Sequence, residues 1–383
     1  MKTGIIGLPQ VGKTSLFKIL TKAQLSPQHV NPREAHVGVA KVPDDRLDRL
    51  AALYNPRKLM HAAVEYVDVA AMPAHSSHAE AKAGAGLSDA IVANIRQVDA
   101  IAHVVRAFDD PAIAHVGEIN PLRDIQNVDF DLMVSDLGQV EKRLERLQKD
   151  LKKQKTPELE REFELLQRCT AFLEQERPLR EMAMTPEDKK RIRGFMFLSE
   201  KPVLHVLNIG ESPELGRELG QVVEKFGLKE VTARPRTGAT AIAGKVEAEL
   251  AEMSDADAAE FLSSYGMGES GLTRLIRKTY ELLGLISFFT VGEDECRAWT
   301  IEDGTRAVNA AGVIHTDLEH HFIRAEVIRW DQLLEAGSEA NARARGTLRL
   351  EGKDYVVKDG ESCTSATAAE GPASTTAGRC VGA

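Results

Sequence analysis

The chain has no run of eighteen apolar residues, so no helix in it is expected to cross a bilayer. Its first residues show no basic segment followed by a long apolar stretch, and a secretory signal is not expected. Cysteine is scarce. Cys169, Cys296, Cys363 and Cys380 are scattered through 383 residues without a Cys-x-x-Cys pair. That spacing argues against zinc and disulfide frameworks and fits a reducing, cytoplasmic setting. A net charge of −9 argues against a general polyanion-binding surface, while leaving room for a local basic patch. The length is that of roughly two or three domains with ample core.

Against these absences stands one strong motif. Gly7-Leu8-Pro9-Gln10-Val11-Gly12-Lys13-Thr14 satisfies G-x-x-x-x-G-K-[ST]. An apolar run precedes it, and the helical pattern Leu16, Phe17, Leu20 follows, so the glycine loop falls between a strand and a helix. Glycines let the backbone N–H groups wrap a phosphate, and the helix turns its positive end toward the same anion. Lys13 would reach the β- and γ-phosphates, and the Thr14 hydroxyl would sit on Mg²⁺. Val64 to Ala70 reads as a strand whose Asp68 supplies a second magnesium contact, directly or through water.

The parts around this core are less usual. Residues 22–40, with Pro27 and Pro32, read as a loop, yet no threonine lies between Ser26 and Asp44 to complete a magnesium shell. Three positions after Asp68 stands Ala71, where signalling NTPases place a glycine. Met72 follows, where a water-orienting glutamine is often found, so hydrolysis would need another route. His75 and His78 lack a second ligand at helical spacing, and residues 74–86 read as a loop rather than a metal site. Ala100 to Phe108 is a buried strand on which His103 reads as a core histidine, with Arg106, Asp109 and Asp110 at its carboxyl end.

From about Asp131 the texture changes. Leu137, Val140, Leu144, Leu147 and Leu151 repeat at three and four, Thr156-Pro157 breaks the pattern, and Leu159, Phe163, Leu166, Thr170 and Leu173 resume it. An antiparallel coiled-coil hairpin is expected. Its first arm is locally basic (Lys142, Arg143, Arg146, Lys149, Lys152, Lys153, Lys155), either as a solvated face or as a contact for RNA phosphates. Pro202 to Asn208 is a strand again, which makes the hairpin an insertion. Asn208-Ile209-Gly210-Glu211 stands where a GTPase carries Asn-Lys-x-Asp. Without the lysine, adenine becomes admissible beside guanine. Thr240 to Lys245 offers a last base-side loop, with helices from Val246 to Leu283. Short strands follow at 287–292, 297–301, 348–350 and 355–357, with a helix over Glu326–Ala336, which implies a β-grasp unit.

These residues together resemble the YchF subfamily of Obg-like P-loop NTPases, the ribosome-associated ATPases. The resemblance rests on the phosphate loop, Asn208-x-x-Glu211, Ala93-Asn94-Ile95-Arg96 and His103-Val104-Val105-Arg106. It rests further on Glu247 to Leu250, Glu269 to Leu272, Arg297 to Thr300 and Ala311 to Asp317. It implies an α/β protein: a P-loop NTPase domain with an inserted antiparallel coiled-coil hairpin, plus a C-terminal β-grasp (TGS) domain. The corresponding boundaries are 1–130 with 198–283, then 131–197, then 284–360. It implies ATP preferred over GTP, slow hydrolysis with Mg²⁺, ribosome binding and a cytoplasmic monomer without membrane contact. The implied nucleotide-binding set is Pro9, Gln10, Val11, Gly12, Lys13, Thr14, Ser15, Asn208, Ile209, Glu211, Ala243 and Gly244. Thr14 and Asp68 hold the metal, and Lys13 and His103 are catalytic.

The chain departs from the family pattern at several points. Gln10 replaces an asparagine that helps to bind K⁺. Pro32 replaces a switch threonine, Ala71 a glycine and Ala243-Gly244-Lys245 a Ser-Ala-Lys loop. After Gly360 the expected final strand gives way to Glu361-Ser362-Cys363-Thr364-Ser365-Ala366-Thr367 and a small-residue tail. A one-base deletion in codons for Glu-Ile-Leu-His-Phe-Arg-Tyr yields this reading, so 361–383 is expected to be a disordered, frameshifted tail. The competing reading is a nucleotide-sensing binding protein that does not hydrolyse, favoured by Pro32, Ala71 and Met72. A small-molecule kinase is disfavoured, since it has no use for the 208–211 strand end.

Overall fold

A computed structural model describes residues 1–22, 36–75, 86–115, 118–212 and 215–367. Pro27, Pro32, His78 and most of the two expected loops lie outside them. The chain divides into two compact units, Met1–Ala40 with Val64–Leu282, and Lys41–Ala63 with the chain from Leu283 onward. The second unit therefore takes in residues 41–63, which the expected boundaries place in the nucleotide domain.

The first unit is built on a six-stranded sheet in the order β2-β4-β1-β5-β6-β7. The strands are β1 (Lys2–Ile6), β2 (His36–Lys41), β4 (Ala63–Asp68), β5 (Ala100–Ala107), β6 (Val203–Ile209) and β7 (Thr237–Ile242); β3 (Lys58–Met60) belongs to the other unit. From β4 to β7 all pairings are parallel. β5 and β6 are buried along nearly their whole length, as parallel strands covered on both faces must be. The chain first builds to one side of β1 and then to the other, so the carboxyl end of β1 is the topological switch point where such sheets bind ligands. The phosphate loop leaves β1 there and enters α1 (Lys13–Thr21), which buries Leu16, Phe17 and Leu20. A shorter helix, Asp89–Arg96, is capped by the Ser88 hydroxyl.

The insertion starts earlier than the apolar repeat indicated. Its first helix, Pro121–Lys153, begins at Asn120-Pro121: the Asn120 side chain accepts from Arg123 N, and proline fills the first turn, where no amide donor is needed. The second helix, Pro157–Leu173, starts the same way at Thr156-Pro157. Val140 and Leu147 pack with Leu165, Leu166, Cys169 and Leu173, flanked by Leu137, Leu144, Leu159 and Phe163. Burial of Val140 and Leu147 is worth about 1.5–3 kcal/mol each. Arg143 is bidentate to Glu162 at 2.8 Å on both contacts, which removes it from the free basic face.

The second unit has the sheet order β11-β10-β12-β8-β9-β3. The strands added here are β8 (Leu285–Thr290), β9 (Glu295–Glu302), β10 (Phe322–Arg329), β11 (Arg349–Glu351) and β12 (Glu361–Thr367). The sheet is mixed: β12 runs antiparallel to β10 and parallel to β8, and β3 runs parallel to β9. Residues 41–63 supply β3 and the helix Asp45–Tyr54. Arg46 pairs with Asp359 at 2.6 Å and lies over the Phe289 ring, and Arg49 lies over Trp330. Glu326 belongs to β10, and the helix expected from it begins only at Trp330. Residues 355–357 contribute a bridge, Arg306 to Val356, rather than a strand.

Residues 361–367 correct the expectation of a disordered tail from Glu361. They form a strand in the interior of this sheet, with Cys363 opposite Val327 and Glu361 opposite Arg329. Ladder hydrogen bonds come from the backbone, so an altered side-chain sequence can still pair. Glu361 is held by Arg349 at 2.6 Å, the Tyr355 hydroxyl at 2.7 Å and Lys358 N at 2.9 Å. Residues 368–383 lie outside the described part.

Candidate phosphate and base site

The phosphate loop is fixed by close packing. A Cβ on Gly7 (φ +150°) would come within 2.4 Å of Val104 O on β5, so no larger residue fits. Gln10 takes a left-handed conformation at φ 60° with its side chain exposed. Pro9, Thr14 and Ser15 are exposed as well, while Val11 is buried. Lys13 is only 7% exposed, and its Nζ donates to Leu8 O at 2.8 Å, folding the ammonium back over the loop. Burial lowers its pKa to about 8, and the nearby Asp68 charge partly opposes this.

The Thr14 hydroxyl donates to Asp68 Oδ2 at 3.0 Å. The two residues assigned to Mg²⁺ are thus brought together from α1 and the end of β4. Burial raises the Asp68 carboxyl above its usual range in spite of Thr14 and Lys13. A half-buried anion with an alcohol beside it suits a hard, oxygen-seeking cation. Beyond Asp68 the chain is tied back to the loop, because Met72 N donates to Gly7 O at 2.9 Å. The Met72 side chain is 1% exposed and points into the core, whereas Ala71 is exposed.

His103 is on β5 beside Ile6 and is 1% exposed. Its Nδ1 lies 3.2 Å from His205 Nδ1, with the rings edge to face. Burial drives both imidazoles well below their ordinary pKa, so both are neutral. One Nδ1 therefore donates and the other accepts. Next to them, burial alone would raise the Asp129 carboxyl, but the charge and hydrogen bonds of Arg180, with smaller contributions from the neighbouring histidines, together hold it below its ordinary value. Arg180 meets both Asp129 oxygens at 2.6 Å and also donates to the Thr237 hydroxyl. His103, the residue expected to be catalytic, is part of a buried polar group in which its ring contacts His205.

Asn208, expected on the base side, is held by the backbone on two sides. Its Nδ2 donates to Val11 O at 3.0 Å, and its Oδ1 accepts from Gly244 N at 3.0 Å. The packing is tight enough that a Cβ on Gly12 would fall 2.7 Å from Nδ2, and one on Gly244 3.0 Å from Oδ1. Asn208 therefore fastens the phosphate loop to the 243–244 loop. Ile209 is buried behind it, as is Ala243. Glu211 is exposed, and its Oε1 accepts from the Tyr265 hydroxyl at 2.8 Å.

Beyond the expected nucleotide-binding and metal set, several residues shape this end of the sheet. The Arg106 guanidinium stacks on Phe108 at 4.4 Å and donates to the carbonyls of Phe108, Asp110, Ile113 and Ala114, shaping the turn after β5. Lys245 reaches Asp110 at 3.0 Å and ties this turn to the base-side loop. Glu247, 1% exposed, accepts from Gly271 N at 2.6 Å and caps the helix Gly271–Leu282. That one contact joins the Glu247–Leu250 and Glu269–Leu272 stretches. A basic residue two before an aromatic at a strand end was a readable signal; Tyr265 carried none.

A parallel sheet with a glycine loop at its switch point, a buried lysine over that loop and a threonine–aspartate pair beside it define a P-loop nucleotide-binding protein. A family model described as a 50S ribosome-binding GTPase matches residues 2–160. The YchF-GTPase_C model, described as a protein of unknown function, matches residues 285–366. The Ribosome-binding ATPase YchF of Bacillus subtilis is 40% identical over 367 residues, spanning 94% of this chain and 97% of that protein. Its namesake from Haemophilus ducreyi is 40% identical over 370 residues, with the same shares. The structure of the Schizosaccharomyces pombe YchF GTPase superposes with a TM-score of 0.81 at 31% identity, over 96% of this chain and 97% of that one. The chain belongs to the YchF family. The C-terminal family match runs through Ala366 and so takes in most of β12.

Proposed function

We propose that the protein is a nucleotide switch that binds ATP in preference to GTP, hydrolyses it slowly with Mg²⁺ to ADP and phosphate, and acts by binding the ribosome. The observation that carries the metal-dependent part is the 3.0 Å contact between Thr14, at the end of the phosphate loop, and Asp68, at the end of β4. When bound, Mg²⁺ would neutralise phosphate charge there. Lys13 would exchange Leu8 O for phosphate oxygens, and Asn208 would hold the loop and the base-side segment in one arrangement. Slow turnover is supported by the inward Met72 and the buried His103, neither of which offers a polar atom to water in this arrangement. Altered base choice is supported by Ile209 in place of the guanine-reader lysine.

Ribosome binding is supported by the names of the relatives. With it go a cytoplasmic location, a hairpin of coiled-coil type, a TGS-like β-grasp assignment for the second unit and a monomeric state. The exposed Gln10 gives no reason to include K⁺. The test is phosphate release with ATP and with GTP, using Lys13→Ala as control, together with sedimentation with ribosomes in each nucleotide state. Release above the control and nucleotide-dependent co-sedimentation are expected. Binding without release would favour the second reading, a non-hydrolysing nucleotide sensor, which the buried Met72 also fits.

A further inference from the structure

We propose that Tyr265 is a positioning residue for base choice: by occupying one oxygen of the Glu211 carboxylate, it turns a reader of two donors into a reader of one. The proposal rests on the nucleotide reading above and deepens it. A guanine ring offers a carboxylate two donors side by side, N1–H and the 2-amino group, and both carboxylate oxygens are needed to take them. An adenine ring offers one donor group, the 6-amino group, next to an N1 acceptor. In this structure Glu211 Oε1 is already taken by the Tyr265 hydroxyl at 2.8 Å. Oε2 has no hydrogen-bond partner among the described residues. One free oxygen satisfies adenine and leaves one guanine donor unmatched, and a donor left unmatched on desolvation is penalised.

The tyrosine is itself held in place. It follows the helix Asp255–Ser264, and its ring packs on Phe261 at 5.0 Å. Its carbonyl accepts from Gly216 N at 3.2 Å, and a Cβ on Gly216 would lie 2.4 Å from Gly266 O. The 265–266 turn is thus seated against the segment that follows Glu211 as well as against Glu211 itself. The hydrogen bond to Glu211 raises the phenol pKa, as expected for a donor held on a carboxylate. On the other side, the carboxylate's own segment is anchored through Asn208 to both neighbouring loops.

The test is the dissociation constant of ATP and of GTP for the wild type, Tyr265→Phe and Glu211→Gln, measured at fixed Mg²⁺. Tyr265→Phe keeps the ring and frees Oε1. The GTP constant is expected to fall about tenfold while the ATP constant stays within about twofold, the size of one charge-assisted hydrogen bond. Loosening of the structure alone would weaken both nucleotides together, and that result overturns the proposal. An unchanged ATP-to-GTP ratio in a folded Tyr265→Phe protein overturns it too. If Tyr265→Phe fails to fold, Glu211→Gln decides: loss of ATP preference supports the proposal, and an unchanged ratio rejects it. A wild type without ATP preference sinks the underlying reading. The Tyr265 proposal then stands or falls on the direction of the shift in Tyr265→Phe.

Discussion

Replacing Asn208 by alanine separates a residue that reads the base from one that fastens loops. The side chain makes two hydrogen bonds, to Val11 O and from Gly244 N, each 3.0 Å long. Its removal orphans a carbonyl and an amide, at about 1–3 kcal/mol each. The residue is 9% exposed, so water would enter and satisfy part of that demand, which places the net loss near about 2 kcal/mol. Both orphaned groups belong to segments that flank the nucleotide, so the loss should fall on binding, at about 30-fold in Kd. ATP and GTP share the phosphate loop, and both should weaken by the same factor. Titration with fluorescent ATP and GTP analogues at fixed Mg²⁺ measures this, with a urea midpoint to show that the variant is folded. A direct base contact would instead weaken one nucleotide and spare the other. A change in the ATP-to-GTP ratio of more than about fivefold, with one affinity preserved, would refute the fastening role.

Burial raises the Asp136 carboxyl to about 6, in spite of its acceptance from Leu198 N, Ser199 N and the Ser199 hydroxyl. The folded protein then holds a proton that the unfolded chain releases near pH 4. This contribution is fully present below that pH and is lost as pH rises through about 6, by up to about 3 kcal/mol. Urea stability from pH 4 to 7 should show that slope, and Asp136→Asn should remove it. Glu247→Ala leaves Gly271 N without its acceptor and should cost about 1–3 kcal/mol in urea unfolding, with Glu247→Gln costing less. A chain ended at Gly360 loses the strand between β10 and β8 and should lose the cooperative unfolding of the second unit, whereas one ended at Thr367 should keep it. Equal melting of the two would argue against β12. For His75 and Asp131, whose side chains meet at 3.3 Å, a double-alanine cycle in urea should give a coupling of about 0.5–3 kcal/mol, and strict additivity would deny the link.

What could be read in the sequence was local or periodic. The phosphate loop, the buried strands and the three-four leucine repeat each carry their signal within a few residues, and each recurs in the structure. Asp68 lies at the end of β4 beside Thr14, as a strand-end position requires. The misplaced parts depend on distant partners. Residues 41–63 contain a helix and a short strand whose assignment rests on pairing with residues beyond 290. The place of Asn208 at the end of β6 was legible from its motif, but its two backbone contacts were not. The tight approach of Gly12 and Gly244 that occupies both ends of its amide could not be read from spacing. The burial of His103 was legible from its apolar strand, whereas its pairing with His205 on the neighbouring strand was not. At 361–367 side-chain identity misled, because an interior strand can be held by backbone pairing.

The base of the inserted hairpin is fixed by polar contacts rather than by its leucine seam. Asp129, Asp131 and Asp136 all lie within the first two turns or so after residue 128, and each finds a different partner: Arg180, His75 and the 198–199 amides. Apolar side chains there could supply equal stability, since a buried ion pair often does no better than a packed hydrophobic replacement. What directional contacts add is a defined orientation. Arg180 lies after the second helix, bonds the first helix through Asp129 and bonds β7 through Thr237, so both arms are referenced to the sheet. His75 lies seven residues beyond Asp68, on the segment that Met72 ties to Gly7. The Asp68 segment and the stem of the hairpin are thus joined by a short stretch of chain. A shift of that segment on phosphate binding would have to be absorbed within those seven residues or passed to the stem.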